Sequence, residues 1–209
     1  MGQGSGIASP PPLQAVIGLG NPGSEYAETR HNAGFWWIDA LAHRAGVTLR
    51  PEARLKGDVG RLTVAGTSIW LFKPSTYMNH SGQAVAAFAA YYRLDPAALL
   101  VVHDELDLAP GIVRLKQGGG HGGHNGLRDI TAHLGADFLR LRIGIGHPGH
   151  RDQVVSYVLH RPSQTERQQI DQAMAQAQAI FPELVAGRMA WAMQRLNTPA
   201  PGEPSAGGG

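Results

Sequence analysis

Leu99, Leu100, Val101 and Val102 form an apolar run with no polar alternation. A strand that is apolar at every position is buried on both faces, so the sheet that contains it needs covering layers on each side. Polar residues follow at once: His103, Asp104, Glu105 and Asp107. A second short run, Ala15, Val16 and Ile17, opens into a turn holding Gly20, Asn21, Pro22 and Gly23. Strands that end this way deliver polar groups to the carboxyl edge of an open α/β sheet, where ligands bind. Helical stripes alternate with the strands. Phe35, Ile38, Leu41 and Ala42 precede a capping Gly46; Val85, Phe88, Ala89 and Tyr92 follow Ser81 as an expected cap. Ile170, Ala173, Met174, Ala177, Ile180, Phe181 and Leu184 form the longest stripe, starting from Ser163. Residues 59–64 and 68–72, joined at 65–67, read as a hairpin that Lys73 and Pro74 stop. Residues 13–19, 112–116 and 138–145 read as further strands, and 127–134 as a short helix. The expected fold is α/β, a single domain with a mixed twisted β-sheet surrounded by α-helices.

A chain of 209 residues, 43% apolar and 16% charged, is long enough for one full core. Residues 1–12 are expected to be a flexible arm, 13–197 the domain, and 198–209 a disordered tail rich in proline, glycine and serine. The net charge of +2 and ten histidines permit a nucleic-acid partner without requiring one. The absence of cysteine excludes disulfides and thiol nucleophiles and fits a cytoplasmic location. No apolar run approaches the roughly 18 residues of a membrane span, and the first dozen residues lack the basic flank and apolar stretch of a signal peptide.

His31 lies in a turn beside Asn32 and Gly34, off any apolar stripe. Asp104 follows a buried strand, where a carboxylate is seldom placed without a partner. An aspartate that accepts the Nδ1 proton of a histidine fixes its tautomer and supports the imidazolium that forms when Nε2 takes a proton. No G-x-S-x-G elbow occurs, and Ser24, Ser75 and Ser81 sit in turn or capping contexts. Histidine and aspartate without serine or cysteine point to water as the nucleophile and His31 as its base. Asn21, Asn79 and Asn125 each follow a strand and could offer uncharged donors to a carbonyl and its developing oxyanion.

Two other patterns compete. Gly18, Gly20 and Gly23 match the dinucleotide fingerprint by spacing. Pro22 occupies the turn, however, and residues 24–32 carry no helical stripe to bring a helix amino end to a pyrophosphate. His121 and His124, with His103 and Asp104, invite a zinc reading, but the spacing is not that of the HExxH helix. On the residues alone, both patterns are weaker than the hydrolytic one. Lys116, Arg140 and Arg142 flank a loop at 117–126 with six glycines, which places them to hold phosphate.

Three dense stretches carry a family likeness: GLGNPGSEYAETRHNAGF at 18–35, KPSTYMNHSGQAV at 73–85, and HDELDLAPGIVRLKQGGGHGGHNGLRDI at 103–130 followed by RLRIGIGHPG at 140–149. Together they resemble bacterial peptidyl-tRNA hydrolase over residues 16–159, with a weaker helical match to 196. The resemblance implies a monomeric, cofactor-free α/β enzyme that cleaves the ester joining peptide to the 3′ end of tRNA, recycling tRNA dropped by stalled ribosomes. It implies His31 as catalytic base, Asp104 as the group that stabilises it, and Asn21 as the residue separating N-blocked from free aminoacyl substrates. Tyr26, Tyr77, Asn79 and Asn125 match contacts near the terminal adenosine and peptide, Met78 and His124 line the same cleft, and Lys116 with Arg142 match a clamp on the tRNA 5′ phosphate. Tyr77 stands where phenylalanine is also frequent. A non-catalytic RNA-binding relative of the same fold is the rival reading, opposed by the intact His31, Asp104 and three asparagines.

Overall fold

The structure, a computed structural model, describes residues 11–198. The expected arm and tail fall almost wholly outside the described residues. The elements run β1 (Ala15–Gly18), α1 (Ala33–Ala45), β2 (Arg50–Glu52), β3 (Gly57–Val64), β4 (Thr67–Pro74), α2 (Ser81–Tyr92), β5 (Leu99–Glu105), β6 (Val113–Gln117), α3 (Asn125–Leu134), β7 (Leu139–Gly144), α4 (Val154–Val158), α5 (Gln164–Val185) and α6 (Met189–Asn197). They build one seven-stranded sheet in the order β2-β3-β4-β1-β5-β7-β6. β1 is parallel to β4 and β5, and β5 to β7, while β2–β3, β3–β4 and β6–β7 are antiparallel. The sheet is therefore mixed, as the hairpin at 65–67 demands.

The unbroken apolar run serves both sides. Leu100 and Val102 enter a core with α1 and α5, where Trp37 meets the Phe181 ring edge-on at 5.5 Å. Leu99 and Val101 enter a second core under α2 and α3, where Phe72 stacks on Phe88 at 4.3 Å. Paired rings of this kind add to the burial they already provide. One glycine decides how closely α1 meets the sheet. A Cβ at Gly34 would lie 2.3 Å from the Val102 carbonyl oxygen and 2.4 Å from the Leu19 nitrogen. Only a residue without a side chain lets the first turn of α1 rest on the end of β1 and the middle of β5, and His31 stands just before that turn.

Three local expectations are corrected. Ser81 does not cap α2: a 3-10 turn at Met78–His80 precedes the helix, His80 takes the cap position, and the Ser81 hydroxyl donates back to the Met78 carbonyl at 2.7 Å. α3 begins at Asn125 rather than at 127, because the His124 ring accepts the first free N–H groups. β5 runs on through His103, Asp104 and Glu105, so these residues belong to the strand instead of following it. The short β2 and α4 carry too few residues for a periodic signal. No helix begins near Gly23, since α1 starts ten residues later, and the dinucleotide reading loses its helix.

At the other end of the sheet, β6 is an edge strand. Asn197, the last residue of α6, closes part of it: its Oδ1 accepts the Leu115 N–H and its Nδ2 donates to the Leu115 carbonyl, each at 2.8 Å. Among the described residues, no helix is long and apolar enough to cross a membrane.

Candidate active site

His31 and Asp104 meet at the carboxyl edge of the sheet. His31 Nδ1 lies 3.0 Å from Asp104 Oδ1 and 2.9 Å from Oδ2. Both residues are buried, at 8% and 4% exposure. An ionised carboxylate only accepts, so His31 carries its proton on Nδ1 and keeps Nε2 as a base. Nε2 makes no hydrogen bond among the described residues. Burial works against a charge on His31, but the Asp104 carboxylate and its hydrogen bond outweigh it, and the pKa is raised above the ordinary 6.5. Asp104 moves the other way. Burial would raise it, yet the neighbouring His31 and His124 hold its carboxyl well below the usual range.

His124 is the second brace on Asp104. Its Nε2 lies 2.9 Å from Asp104 Oδ1. Its Nδ1 accepts from the backbone N–H of Gly126 at 3.2 Å and of Leu127 at 3.3 Å, capping α3. Those two bonds assign the tautomer: Nδ1 holds the lone pair and Nε2 holds the hydrogen that Asp104 receives. One carboxylate therefore takes hydrogen bonds from two imidazoles. β6 ends at Gln117, opposite Leu139 at the amino end of β7. Asp104 pairs with Ile143, four residues further up β7, or about 13 Å along the strand. The glycine loop covers that climb and delivers His124 to Asp104.

His103 joins this group in a different role. It is 1% exposed, its Nδ1 lies 2.8 Å from the Asp104 carbonyl, and its ring stands 5.2 Å from that of His124. Burial first, and then His124, pushes its pKa down to about 3, so it is neutral. The rival zinc set of His121, His124, His103 and Asp104 does not converge as a whole among the described residues. The groups that do converge, His31, Asp104 and His124, have donor atoms within 4.8 Å of one another. Both imidazoles donate an N–H to Asp104, so the ring nitrogens that face it offer no lone pair to an ion.

The asparagines divide by burial. Asn21 is 7% exposed. Its Oδ1 accepts the Met78 N–H at 2.7 Å, which fixes the amide orientation and leaves Nδ2 without a hydrogen bond among the described residues. Asn32 locks the backbone beneath it: Asn21 N–H donates to Asn32 Oδ1 at 2.9 Å, and Asn32 Nδ2 donates to the Asn21 carbonyl at 3.0 Å. Asn79 and Asn125 are exposed, and their side chains make no hydrogen bonds among the described residues. Tyr26 and Tyr77 face each other edge-on at 6.3 Å, with Tyr77 56% exposed. Met78 is buried.

The three basic residues around the glycine loop are not equivalent. The alternation of Arg140 and Arg142 along β7 places them on one face but does not reveal what covers it. Arg140 is 2% exposed and its guanidinium donates to the carbonyls of Gly119 and Gly120. It holds the loop and is not free for phosphate, which corrects its grouping with the other two. Arg142 is half-buried, with Nε 3.2 Å from Glu105 Oε2 and its two terminal nitrogens without hydrogen bonds among the described residues. Lys116 is exposed and crosses over Gly119.

Two residues that matter to the site carry no sequence signal strong enough to find them. Asn32 was only a neighbour of His31 in sequence. Arg30 is 7% exposed, donates to the Tyr157 carbonyl at 3.2 Å, pairs with Glu166 at 3.0 Å and lies 3.9 Å from the Tyr157 ring centroid. It ties the turn bearing His31 to α4 and α5.

The fold and this cluster define an α/β enzyme with acid–base equipment at its sheet edge. The family model for peptidyl-tRNA hydrolase matches residues 15–204. The chain is 56% identical to the peptidyl-tRNA hydrolase of Halorhodospira halophila over 186 residues, 88% of this chain and 96% of that one. It is 52% identical to that of Delftia acidovorans over 193 residues, 92% and 93% of the two chains. The crystal structure of peptidyl-tRNA hydrolase from Acinetobacter baumannii superposes with a TM-score of 0.88 at 47% identity, covering 95% of this chain and 100% of that one. The chain belongs to the peptidyl-tRNA hydrolase family, and its activity is the hydrolysis of peptidyl-tRNA.

Proposed function

We propose that His31 activates a water molecule to cleave the ester between peptide and tRNA. Nε2 of His31 takes a proton from water, and the hydroxide attacks the ester carbonyl carbon. Asp104 supports the imidazolium that results, and His124 keeps the Asp104 oxygen in place. Asn21 Nδ2 donates to the oxyanion; as an amide it stabilises charge without titrating. The tetrahedral intermediate collapses, the ribose 3′ oxygen leaves, and the imidazolium returns the proton to it. The observation that carries this reading is the contact of His31 Nδ1 with Asp104 at 2.9–3.0 Å, with Nε2 left available.

Apart from Met78, His124 and Arg142, substrate is held by side chains with no hydrogen bonds to commit them among the described residues. Asn79 and Asn125 bind the peptide backbone, which tolerates any peptide sequence. Tyr26 and Tyr77 pack on the terminal adenosine, and Met78 and His124 line the cleft. Lys116 takes the tRNA 5′ phosphate, with the free edge of Arg142 beside it. The unit that does this is residues 13–197, acting as a cytoplasmic monomer without metal or cofactor, on peptidyl-tRNA dropped by ribosomes. The test is release of amino acid from N-acetyl-aminoacyl-tRNA beside free aminoacyl-tRNA, with and without chelator. Rapid cleavage of the blocked substrate alone, unaffected by chelator, is the expected result. Equal cleavage of both would reject the selection by Asn21, and loss with chelator would reject the water–histidine mechanism.

A further inference from the structure

Asn21 also lines a hollow of about 400 Å³ that the mechanism leaves unused. Phe35, Trp36, Asp39, Asp58 and Lys73 line it too, while His31, Asp104, Asn79 and Asn125 do not. Lys73 Nζ reaches the Asp39 oxygens at 2.7 and 2.9 Å and stands 4.7 Å from the Phe35 ring centroid. Asp58 is the direct cross-strand neighbour of Lys73. It is half-buried and makes no hydrogen bond or ion pair among the described residues. Two carboxylates against one ammonium leave the hollow with one net negative charge at neutral pH.

That sign repels phosphate, so the nucleic acid is not the occupant. The other half of the substrate is peptide. An uncommitted carboxylate in a hollow with aromatic walls favours a cation with an apolar stem. The shared wall is Asn21, 7% exposed and with Nδ2 unpartnered among the described residues, so an occupant here lies next to the reacting ester. We propose that this hollow is a subsite for a basic side chain, lysine or arginine, of the peptide carried on tRNA. The subsite rests on the hydrolase mechanism above and adds a side-chain preference to an enzyme whose other peptide contacts are to backbone.

The full chain is assayed on one tRNA carrying N-acetyl-Lys-Ala or N-acetyl-Ala-Lys, on the same two with Nε-acetyl-lysine, and on neutral N-acetyl-Ala-Ala. Lysine should exceed acetyl-lysine in kcat/KM by roughly three- to fivefold in one of the two positions, with the advantage shrinking as salt is added. Asp58→Asn should abolish the advantage and leave the neutral substrate unchanged. Lys73→Gln, which removes the competing ammonium, should enlarge it. Equal rates in both positions, or a preference that survives Asp58→Asn, would overturn the subsite while leaving the hydrolase mechanism intact. Failure to cleave N-acetyl-Ala-Ala would reject the mechanism itself, and the subsite with it.

Discussion

The catalytic cleft has an inner and an outer region. Inside, His31, Asp104, His124 and Asn32 are buried or nearly so; His31 and His124 both bond to Asp104, and Asn32 is committed to the Asn21 backbone. Outside, Asn79, Asn125, Tyr77 and Lys116 are exposed, and their side chains make no hydrogen bonds among the described residues. On the proposed mechanism the contrast separates two tasks. Proton transfer depends on sub-ångström placement, which suits groups held before substrate arrives. Recognition of a long, variable substrate, as proposed, suits groups that stay free to turn.

The largest effect should come from the inner region. His31→Ala is expected to lower kcat by about 10³–10⁴-fold with tRNA affinity unchanged; a single-turnover assay beside a binding titration checks both, and a loss of affinity to match would blur the inner–outer division. Asp104→Asn should cost about 10²-fold or more and also move the pH profile. In the native protein the free base of His31 exists only above its raised pKa, so kcat/KM should climb with pH through a midpoint above 6.5. Without the carboxylate, burial alone acts on the ring, and the midpoint should fall below 6.5. An unmoved midpoint would mean that Asp104 does not set the basicity of His31.

His124 sharpens the comparison because it works in both regions. His124→Ala removes the cap of α3 and should cost about 1 kcal/mol, read as a melting temperature lower by roughly 2–4 °C. His124→Asn restores a capping oxygen but not the bond to Asp104, so it should recover stability and leave turnover impaired. The smallest effect belongs to the outer edge. Lys116→Ala should raise KM several-fold, leave kcat in place, and reduce the salt dependence of tRNA binding by about one phosphate contact.

Much of this was legible from residue order. Leu99 to Val102 required two covering layers, and both exist. Asp104 was suspect because of the strand beneath it, and His31, an ordinary turn histidine by itself, because of the company of Asp104. The bond between His124 and Asp104 was not legible, because it depends on a loop climbing the sheet and on which ring nitrogen caps a helix. Arg140 shows the same limit. Alternation along β7 assigns a side chain to a face, but the loop carbonyls that bury its guanidinium come from another part of the chain. Asn32 was hidden for the opposite reason, since its partner is eleven residues away across a turn with no periodic structure between them.

The amide of Asn197 that seals Leu115 gives the last helix a second duty. A β-strand at the margin of a sheet is a template on which another chain can add, and here one side chain occupies a donor and an acceptor of that strand. Shortening the protein by even a few residues before that point would uncover the template. The damage would then show as clumping in concentrated solution, with the chemistry of each remaining molecule untouched.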